Sequence, residues 1–263
     1  MDLGLHNKAA LVAAASKGLG RAVAEELSSE GARVAICSRN KTLIEKVAEE
    51  ITNKTGNKVI GFQADVSHSE EVTDLIAKVA DQLGTIEILV TNAGGPTPGT
   101  FESVDNANWL AAFHLTLLSV VDLCRATIPY MKENNWGRII NITSVAVKQP
   151  VDGLMLSNSI RPGVIGLAKT LSKELAPHNI LVNNVCPGYT RTERLEQLAT
   201  VIAKSKDLNS DDVFREWETT IPLGRIGNAE EFAALVTFLA SERASYITGT
   251  TIPVDGGEAK GIM

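Results

Sequence analysis

The stretch Lys8–Arg21, KAALVAAASKGLGR, constrains the fold more than any other part of the chain. Its apolar run, Ala9–Ala14, has no polar alternation, which predicts a short strand buried on both faces. A turn through Gly18 and Gly20 follows, and apolar residues then recur at helical spacing as far as Ser29. A strand that turns through glycines into a helix N-terminus directs free N–H groups at one point. The stretch predicts a phosphate-binding turn, although an ordinary strand-to-helix turn explains a lone glycine-rich turn equally well.

Composition limits the class of protein. The 263 residues contain no linker, repeat or low-complexity tract, so a single domain spanning 1–263 is expected. A net charge of −6 without long charge runs argues against nucleic acid and anionic membranes as partners. Cys37, Cys124 and Cys186 are scattered, which predicts buried thiols in a reducing compartment and no metal site. Without a signal-peptide core or 18 consecutive apolar residues, the protein is expected to be soluble and cytoplasmic.

Strands and amphipathic helices alternate along the rest of the chain. Further strands are predicted at Ala32–Cys37, Lys58–Gln63, Ile86–Val90, Gly137–Ile142, Ile180–Val185 and Thr250–Val254. Asn40 is expected to cap one intervening helix, Ser67 and Glu70 form a capping box for the next, and a later helix covers Gly163–Leu175. Such alternation produces right-handed crossovers and a parallel sheet that binds ligands at the carboxyl ends of its strands. The pattern predicts an α/β fold of the Rossmann type, doubly wound, with helices on both faces.

The end of the second predicted strand bears on the choice of cofactor. In a dinucleotide-binding fold, a carboxylate at this position binds the ribose 2′-OH, whereas an arginine suits a 2′-phosphate. Here the strand is followed by Ser38 and Arg39, and Lys17 in the glycine turn is a second nearby cation. Together they favour NADP(H) over NAD(H); the alternative is that both cations are solvated surface residues.

Several motifs occur in an order and spacing that resemble the short-chain dehydrogenase/reductase family over essentially the whole chain. They are Gly18-Leu19-Gly20, Asp65-Val66, Asn92-Ala93-Gly94, Pro187-Gly188 with Thr192, Ile221–Gly227 and Pro253–Gly257. The chain looks most similar to members named 3-oxoacyl-carrier-protein reductases. The resemblance implies one doubly wound domain with a seven-stranded parallel sheet, a nicotinamide cofactor and usually a homotetramer. It implies cofactor contacts from Ser16, Lys17, Gly18, Leu19, Gly20, Ser38, Arg39, Asp65, Val66, Asn92, Ala93, Gly94, Pro187, Gly188 and Thr192.

The chain departs from the family at its catalytic positions. Family members use an Asn, Ser, Tyr and Lys tetrad, and only the serine, Ser144, is kept here. Ser157 stands in the tyrosine position, Arg161 in the lysine position and Thr116 in the asparagine position. The glycine turn also begins Ala13-Ala14 where the family has Thr-Gly.

The substituted residues still offer part of the chemistry of carbonyl reduction. Ser157 and Arg161 are four residues apart, so on a helix both face the nicotinamide side, although Pro162 predicts that this helix starts or kinks there. Ser144 and Ser157 can hydrogen-bond a carbonyl oxygen, and Arg161 supplies a positive charge or binds the cofactor ribose. Serine is a far weaker acid than the usual tyrosine, so the proton must come from elsewhere.

Tyr189 follows Pro187-Gly188, and the resemblance implies that this turn borders the nicotinamide; Tyr189 is therefore the first candidate for the proton donor, and water is the alternative. His114 and Lys148 are weaker candidates: a histidine in an apolar helix is more often a core or interface residue, and a lone lysine is usually solvated. Tyr189 is otherwise interpreted as an aromatic residue that lines the pocket.

The substrate side is expected to consist of loops and an insert. Residues 191–220 are charged and helix-prone, which predicts a mobile helical insert that closes over a ligand. The loops Gly95–Thr100 and Lys148–Leu156 present few charges, which favours a neutral or apolar substrate end. The sequence thus predicts an NADP(H)-dependent oxidoreductase for a small-molecule or acyl-thioester substrate. Two alternatives remain, a cofactor-binding protein without turnover and a lyase or isomerase.

Overall fold

The computed structural model describes residues 2–261, apart from the side chains at positions 201 and 205. Within this range seven parallel strands form one sheet in the order β3-β2-β1-β4-β5-β6-β7. The strands are β1 (Ala9–Val12), β2 (Arg33–Ser38), β3 (Val59–Gln63), β4 (Ile88–Thr91), β5 (Gly137–Ile142), β6 (Ile180–Pro187) and β7 (Thr251–Val254). The strand order reverses between β1 and β4, which defines a doubly wound fold with its ligand crevice at that point. The predicted α/β class is confirmed.

Helices cover both faces of the sheet. They are α1 (Gly18–Ser29), α2 (Lys41–Thr55), α3 (Ser69–Leu83), α4 (Asn106–Phe113), α5 (Ser119–Glu133), α6 (Met155–Leu175), α7 (Glu193–Lys206), α8 (Ser210–Thr220) and α9 (Ala229–Ala240). In β1, Ala10 and Val12 pack under α1, α2 and α9, whereas Ala9 and Leu11 pack under α3, α5 and α6. Both faces of the strand are buried, which explains its uninterrupted apolar run, and each fully buried large aliphatic side chain contributes about 1.5–3 kcal/mol.

Two helix starts differ from the sequence predictions. The predicted capping box of Ser67 and Glu70 is wrong: α3 begins at Ser69 with His68 in the N-cap position. Ser67 lies one residue before this N-cap, and its Oγ donates to Asp65 Oδ1 at 2.7 Å. The Glu71 side chain accepts from the backbone N–H of Asp65 at 2.9 Å.

Helix α6 begins at Met155, eight residues before the predicted Gly163 start, and contains Pro162 in its interior. The proline omits one backbone hydrogen bond but does not end the helix. The Asn158 side chain holds the first turn through two bonds to the Val151 backbone, at 2.9 and 3.1 Å. The helix is therefore anchored ahead of the proline, and Ser157 and Arg161 share it as expected.

Residues 106–133 form one continuous helical rod, in which a π-helical turn, His114–Leu118, joins α4 to α5. Among the described residues this rod alone has the length and apolar composition of a membrane span. Leu123, Cys124 and Met131 on its inner face are buried against the sheet. Only 33% of its most apolar window is buried, so much of the rod faces outward in the single chain.

The predicted insert at 191–220 is helical and comprises α7 and α8. The two helices share a small apolar cluster that includes Ala199, Val213, Trp217 and Ile221. The cluster gives the insert a core of its own, and Thr192 and Arg194 bring the start of α7 against Gly18 and Gly95. The mobility of the insert stays a prediction.

Candidate active site

The glycine turn joins β1 to α1 and contacts the end of β4. Ala14 adopts φ +47° and Gly18 φ +59°, both in the left-handed region. Asn92 Nδ2 donates to the Ala14 carbonyl at 3.1 Å. A Cβ atom on Gly20 would lie 2.8 Å from both of these partners, so only glycine fits there. The turn therefore presents the N-terminus of α1 in a fixed position, as a phosphate-binding turn requires.

Thr192 and Lys17 bring the insert over this turn. The Thr192 hydroxyl accepts from the backbone N–H of Leu195 at 3.3 Å and so begins α7. Its methyl group would lie 3.5 Å from a Cβ built on Gly18. Lys17 Nζ pairs with Glu193 Oε2 at 2.9 Å, and both side chains are more than half exposed. An exposed pair of this kind is worth at most about 1 kcal/mol, so a phosphate can replace Glu193 as the partner of Lys17.

The predicted adenosine end lies at the ends of β2 and β3. Ser38 is half-buried and Arg39 is exposed. Partial burial raises the pKa of Asp65, but hydrogen bonds from Ser67 and the charge of Arg39 outweigh it, and the net pKa is lowered. Ser38 and Arg39 lie at the end of β2, and Asp65 follows the neighbouring strand β3, where the sequence predicts the adenosine end of the cofactor.

A cleft of about 290 Å³ adjoins the same turn. Its lining includes Ser16, Lys17, Gly18 and Arg21. Arg21 is paired with Glu25 and with Glu50, each at 2.9 Å, so its charge is already balanced. Lys46, the third cation of the lining, also pairs with Glu50, at 3.7 Å. Lys17 lies in the glycine turn itself and its partner Glu193 is more than half exposed, so Lys17 is the cation best placed to meet an incoming phosphate.

The candidate catalytic residues meet at the end of β5. Ser144 directly follows Thr143 there, and its Oγ accepts from the Ala146 N–H at 3.1 Å. Ser157 on α6 is 5% exposed, and its hydroxyl forms no hydrogen bond within the part of the chain that the structure describes. Arg161, one turn later, is 8% exposed and donates from Nη1 to the Thr143 carbonyl at 3.1 Å. The structure thus brings Ser144, Ser157 and Arg161 to one edge of the sheet.

Arg161 is electrostatically unusual. Burial and the like charge of Arg194 lower the pKa of Arg161 to about 10. The guanidinium still carries its charge at neutral pH and cannot act as a base. Its Nε atom is buried without a hydrogen-bond partner among the described residues. An unpaired buried donor costs about 1–3 kcal/mol, so a ligand atom that accepts from it is stabilised.

Thr116, in the asparagine position, lies within the π-helical turn and is buried. Its hydroxyl donates to the Ala112 carbonyl of its own helix at 2.6 Å. A π-turn is often found at functional sites, and here it shifts the side chain relative to a regular helix. Because the hydroxyl is bonded within its own helix, Thr116 offers a ligand only an acceptor.

Tyr189 stacks on Trp217, with ring centres 4.8 Å apart and an angle of 16° between the planes. Burial and the carboxylates of Glu258, Glu216 and Asp152 raise the pKa of Tyr189 to about 12. The hydroxyl is therefore a weaker acid than an ordinary tyrosine, which suits a pocket wall better than a proton donor. His114 is exposed beside Phe113 and so is not a core histidine, and Lys148 is half-buried.

Two side chains near the site were not predicted from the sequence. Arg194, in the first turn of α7, lies against Gly95 and donates to the Pro96 carbonyl at 3.3 Å. Glu258 Oε2 is buried without a hydrogen-bond partner among the described residues, near Gly188. Burial and the charge of Asp255 raise the pKa of Glu258. Their only sequence signal is proximity to the Thr192 and Pro253–Gly257 motifs, and proximity does not show which way a side chain points.

Comparisons with known proteins cover the whole chain. The sequence family described as Enoyl-(Acyl carrier protein) reductase matches residues 13–258. The NADPH-dependent reductase BacG of Bacillus subtilis is 35% identical over 98% of this chain and 100% of that protein. The 3-oxoacyl-[acyl-carrier-protein] reductase FabG of Aquifex aeolicus is 35% identical over 98% of this chain and 99% of its own length.

Solved structures of similar proteins have the same fold over nearly the full chain. YwfH, an NADPH-dependent reductase involved in bacilysin biosynthesis, superposes with a TM-score of 0.92 at 36% identity, over 97% of this chain and 99% of that one. L-sorbose reductase from Gluconobacter frateurii, solved with NADPH and L-sorbose, has a TM-score of 0.95 at 29% identity and full coverage of both chains. With the doubly wound sheet, the glycine turn and the serine at the end of β5, these matches show that the chain belongs to the short-chain dehydrogenase/reductase family.

Proposed function

We propose that the protein is an NADP(H)-dependent oxidoreductase that interconverts a carbonyl and an alcohol in a small-molecule or acyl-thioester substrate. The supporting observation is that the glycine turn, fixed by Asn92, and the cluster of Ser144, Ser157 and Arg161 lie at the same edge of the sheet. Reductases that use NADPH match the chain over almost its full length. The altered tetrad thus changes how the proton is supplied rather than the type of reaction.

The residues of the predicted cofactor-binding site fit a dinucleotide. The turn leaves no room for a Cβ on Gly20, and so allows the close backbone approach that a pyrophosphate needs. Ser16–Gly20 would hold the pyrophosphate, Asp65-Val66 the adenine, and Asn92–Gly94, Pro187-Gly188 and Thr192 the nicotinamide riboside. When bound, NADPH supplies the hydride. Arg39, Ser38 and Lys17 would bind the 2′-phosphate, which is the basis for NADP(H) over NAD(H).

This cofactor preference is tested with Arg39→Ala. Loss of one charge-assisted contact should raise the dissociation constant for NADPH about 10-fold and leave that for NADH almost unchanged. Titration of cofactor fluorescence measures both constants. Arg33→Ala, which removes an exposed arginine at the opposite end of β2, is the control and should alter neither. Equal losses for NADPH and NADH would contradict the assignment.

The chain's own residues act on the carbonyl. Ser144 and Ser157 donate hydrogen bonds to its oxygen, and the fixed charge of Arg161 stabilises the negative charge that develops there. Arg161 also reaches the cofactor ribose in the place of the family's lysine. The proton for the alkoxide comes from Tyr189 or from water, and Tyr189 starts as the weaker acid because of its raised pKa.

Turnover separates this proposal from its alternatives. NADPH oxidation should be measured with a panel of aldehydes, β-ketoesters and an acyl thioester, in the wild type, Ser144→Ala and Tyr189→Phe. Reduction that falls about 100-fold or more in Ser144→Ala supports the proposed site. Tyr189→Phe identifies the proton donor. A large loss of the reduction rate in this variant assigns the proton to Tyr189, and an unchanged rate assigns it to water. NADPH binding without oxidation would favour a binding protein, and conversion without net oxidation a lyase or isomerase.

We also propose that the enzyme is a cytoplasmic homotetramer. Leu110 and Phe113 on the outer face of the 106–133 rod are 62% and 39% exposed, which a contact between subunits would cover. Cys37, Cys124 and Cys186 are free and buried, in keeping with a reducing compartment.

A further inference from the structure

Two arginine side chains converge on the substrate side of the site from different helices. Arg161 reaches from α6 to the Thr143 carbonyl at the end of β5. Arg194 reaches from α7 to the Pro96 carbonyl, in the loop that follows β4. Strands β4 and β5 are neighbours, with Thr91 paired to Asn141, so both guanidinium groups lie at the same part of the sheet edge.

These arginines have no acidic partner. None of the ion pairs among the described residues includes Arg161, Arg194 or Lys148. Arg161 and Cys186 both contact Thr143, Arg161 at its carbonyl and Cys186 at its hydroxyl. Burial raises the pKa of the Cys186 thiol, while Lys148 and Arg161 act in the opposite direction.

The lack of an acidic partner is costly for Arg161, which is buried, whereas Arg194 is exposed and reaches the site from the solvent side. Arg161 is 8% exposed, and its Nε has no hydrogen-bond partner among the described residues. The charge of Arg194 also lowers the pKa of Arg161, because two like charges lie close together in a partly desolvated space. A buried cation is ordinarily paired, and a planar guanidinium is best paired by a carboxylate that accepts two hydrogen bonds.

We infer that Arg161 and Arg194 form a subsite for a substrate carboxylate, and that the enzyme acts on oxo acids. This inference rests on the proposed reductase function. The placement of the arginines favours 2-oxo acids, because Ser144, which is proposed to bind the reacting carbonyl, directly follows Thr143, whose own carbonyl accepts from Arg161. A carboxylate next to the carbonyl meets both groups, whereas a distant one does not.

The proposed carboxylate subsite differs from the sequence-based expectation of a neutral or apolar substrate end, which stays a prediction. The substrate loops carry few charges, as the sequence indicates, but the cations come from α6 and α7. Arg194 lies in the insert, and only the tertiary packing brings it against Gly95. Arg161 uses one of its five N–H donors for Thr143, so it can contact both the cofactor ribose and a carboxylate.

The experiment compares 2-oxo-4-phenylbutanoate with its ethyl ester, which lacks only the negative charge. NADPH oxidation is followed for the wild type, Arg194→Gln and Arg194→Lys. The wild type should prefer the acid by at least about 10-fold in kcat/KM, and Arg194→Gln should lose about 10- to 100-fold for the acid, mainly through KM. The ester should be unaffected by Arg194→Gln, and Arg194→Lys should recover part of the loss.

Arg191→Gln is the matched control, because Arg191 is exposed in the same segment and lies over Phe214. This variant should leave kcat/KM unchanged for both the acid and the ester. Equal rates for acid and ester in the wild type, or equal losses for both in Arg194→Gln, would overturn the inference and leave the reductase function standing. A loss confined to NADPH affinity would also overturn it and make Arg194 a cofactor ligand.

A binding measurement keeps the inference testable if neither compound is reduced, a result that would count against the proposed function. Calorimetric titration of 2-oxo-4-phenylbutanoate into the protein saturated with NADP⁺ then decides. Binding that Arg194→Gln abolishes and Arg191→Gln preserves supports the carboxylate subsite. Absence of binding to the wild type overturns it.

Discussion

Ala14 shows how much one side chain determines at this site. It occupies the position where the family has a glycine and adopts φ +47°, a conformation that costs a non-glycine residue about 1–2 kcal/mol. Its carbonyl accepts the hydrogen bond from Asn92 that holds the turn to β4. The turn therefore keeps its shape despite the alanine, because neighbouring contacts outweigh the local strain.

Replacing Ala14 with glycine should stabilise the protein. Glycine removes the cost of the positive φ angle, and this effect exceeds the cost of the extra conformational entropy in the unfolded chain. The free energy of unfolding should therefore rise by about 1 kcal/mol, which corresponds to an increase in Tm of about 2–4 °C. Thermal denaturation measures this. Ala13→Gly is the control: Ala13 is buried and not at positive φ, so its loss should lower Tm. A lower Tm for Ala14→Gly as well would mean that its methyl group contributes more packing than the dihedral costs.

Glu258 should make stability depend on pH. Its pKa is raised in the folded protein by burial and by Asp255, so folding favours the protonated carboxyl. The associated stability is present below the unfolded pKa and is lost as pH rises through the folded pKa. Glu258→Gln cannot ionise, so its Tm should exceed that of the wild type at pH 8 by about 2 °C or more, and by less at pH 4.

Thermal scans at both pH values test this prediction for Glu258. Glu49→Gln, at an exposed position on α2, is the control and should follow the wild type at both. A difference between Glu258→Gln and the wild type that is the same at pH 4 and pH 8 would show that its carboxyl does not titrate as described.

Among the secondary-structure elements, α6 carries the altered tetrad and departs most from expectation. The sequence predicts its body, Gly163–Leu175, from periodicity, but Pro162 hides the two turns that hold Ser157 and Arg161. Those turns persist because Leu156 and Ile160 pack with Val104 and Ala112, and because Asn158 bonds the preceding loop. Packing thus overrides the local preference against helix before a proline.

Pro162→Ala should strengthen α6. The substitution restores one N–H donor and removes the ring from the helix interior, at an exposed position. We expect the free energy of unfolding to rise by about 1 kcal/mol. Proline costs a regular helix interior roughly 3 kcal/mol relative to alanine, but here the neighbouring turns already accommodate it. Tm measures the gain, and Gly166→Ala, at an exposed position of the same helix where a Cβ meets nothing, is the positive control. A lower Tm for Pro162→Ala, with a higher Tm for Gly166→Ala, would show that the native packing around this part of α6 depends on the proline.

At the level of the whole molecule, the outward face of the 106–133 rod sets the expected assembly. Leu110 is 62% exposed there, in a segment apolar enough for burial. Leu110→Lys places a charge in the proposed contact and should break the tetramer into smaller species, as light scattering after gel filtration would detect for 28.1 kDa chains. Leu208→Lys, at an exposed leucine between α7 and α8, should leave the mass unchanged. An intact tetramer in both variants would place the interface elsewhere.

Local pattern was sufficient to predict the sheet. Buried parallel strands are continuous apolar runs, and amphipathic helices repeat every three to four residues, so β1 to β7 and most helices follow from the sequence, with shifts of a few residues at their ends. The cofactor motifs lie at strand ends, where this topology brings them together. The predicted capping box was wrong because α3 begins at Ser69, which leaves Ser67 outside the N-cap position.

The sequence by itself determined the fold class, because buried apolar runs and amphipathic helices follow from residue type and spacing. Its resemblance to a known family predicted the dinucleotide site and the residues that replace the tetrad. Only the tertiary structure decided that Arg194 lies against Gly95, that Arg161 has a buried unpaired nitrogen and that Glu258 sits near Gly188. Each of these depends on side chains from distant elements that converge on one space. Burial and charge in that space follow from packing, which local periodicity does not encode.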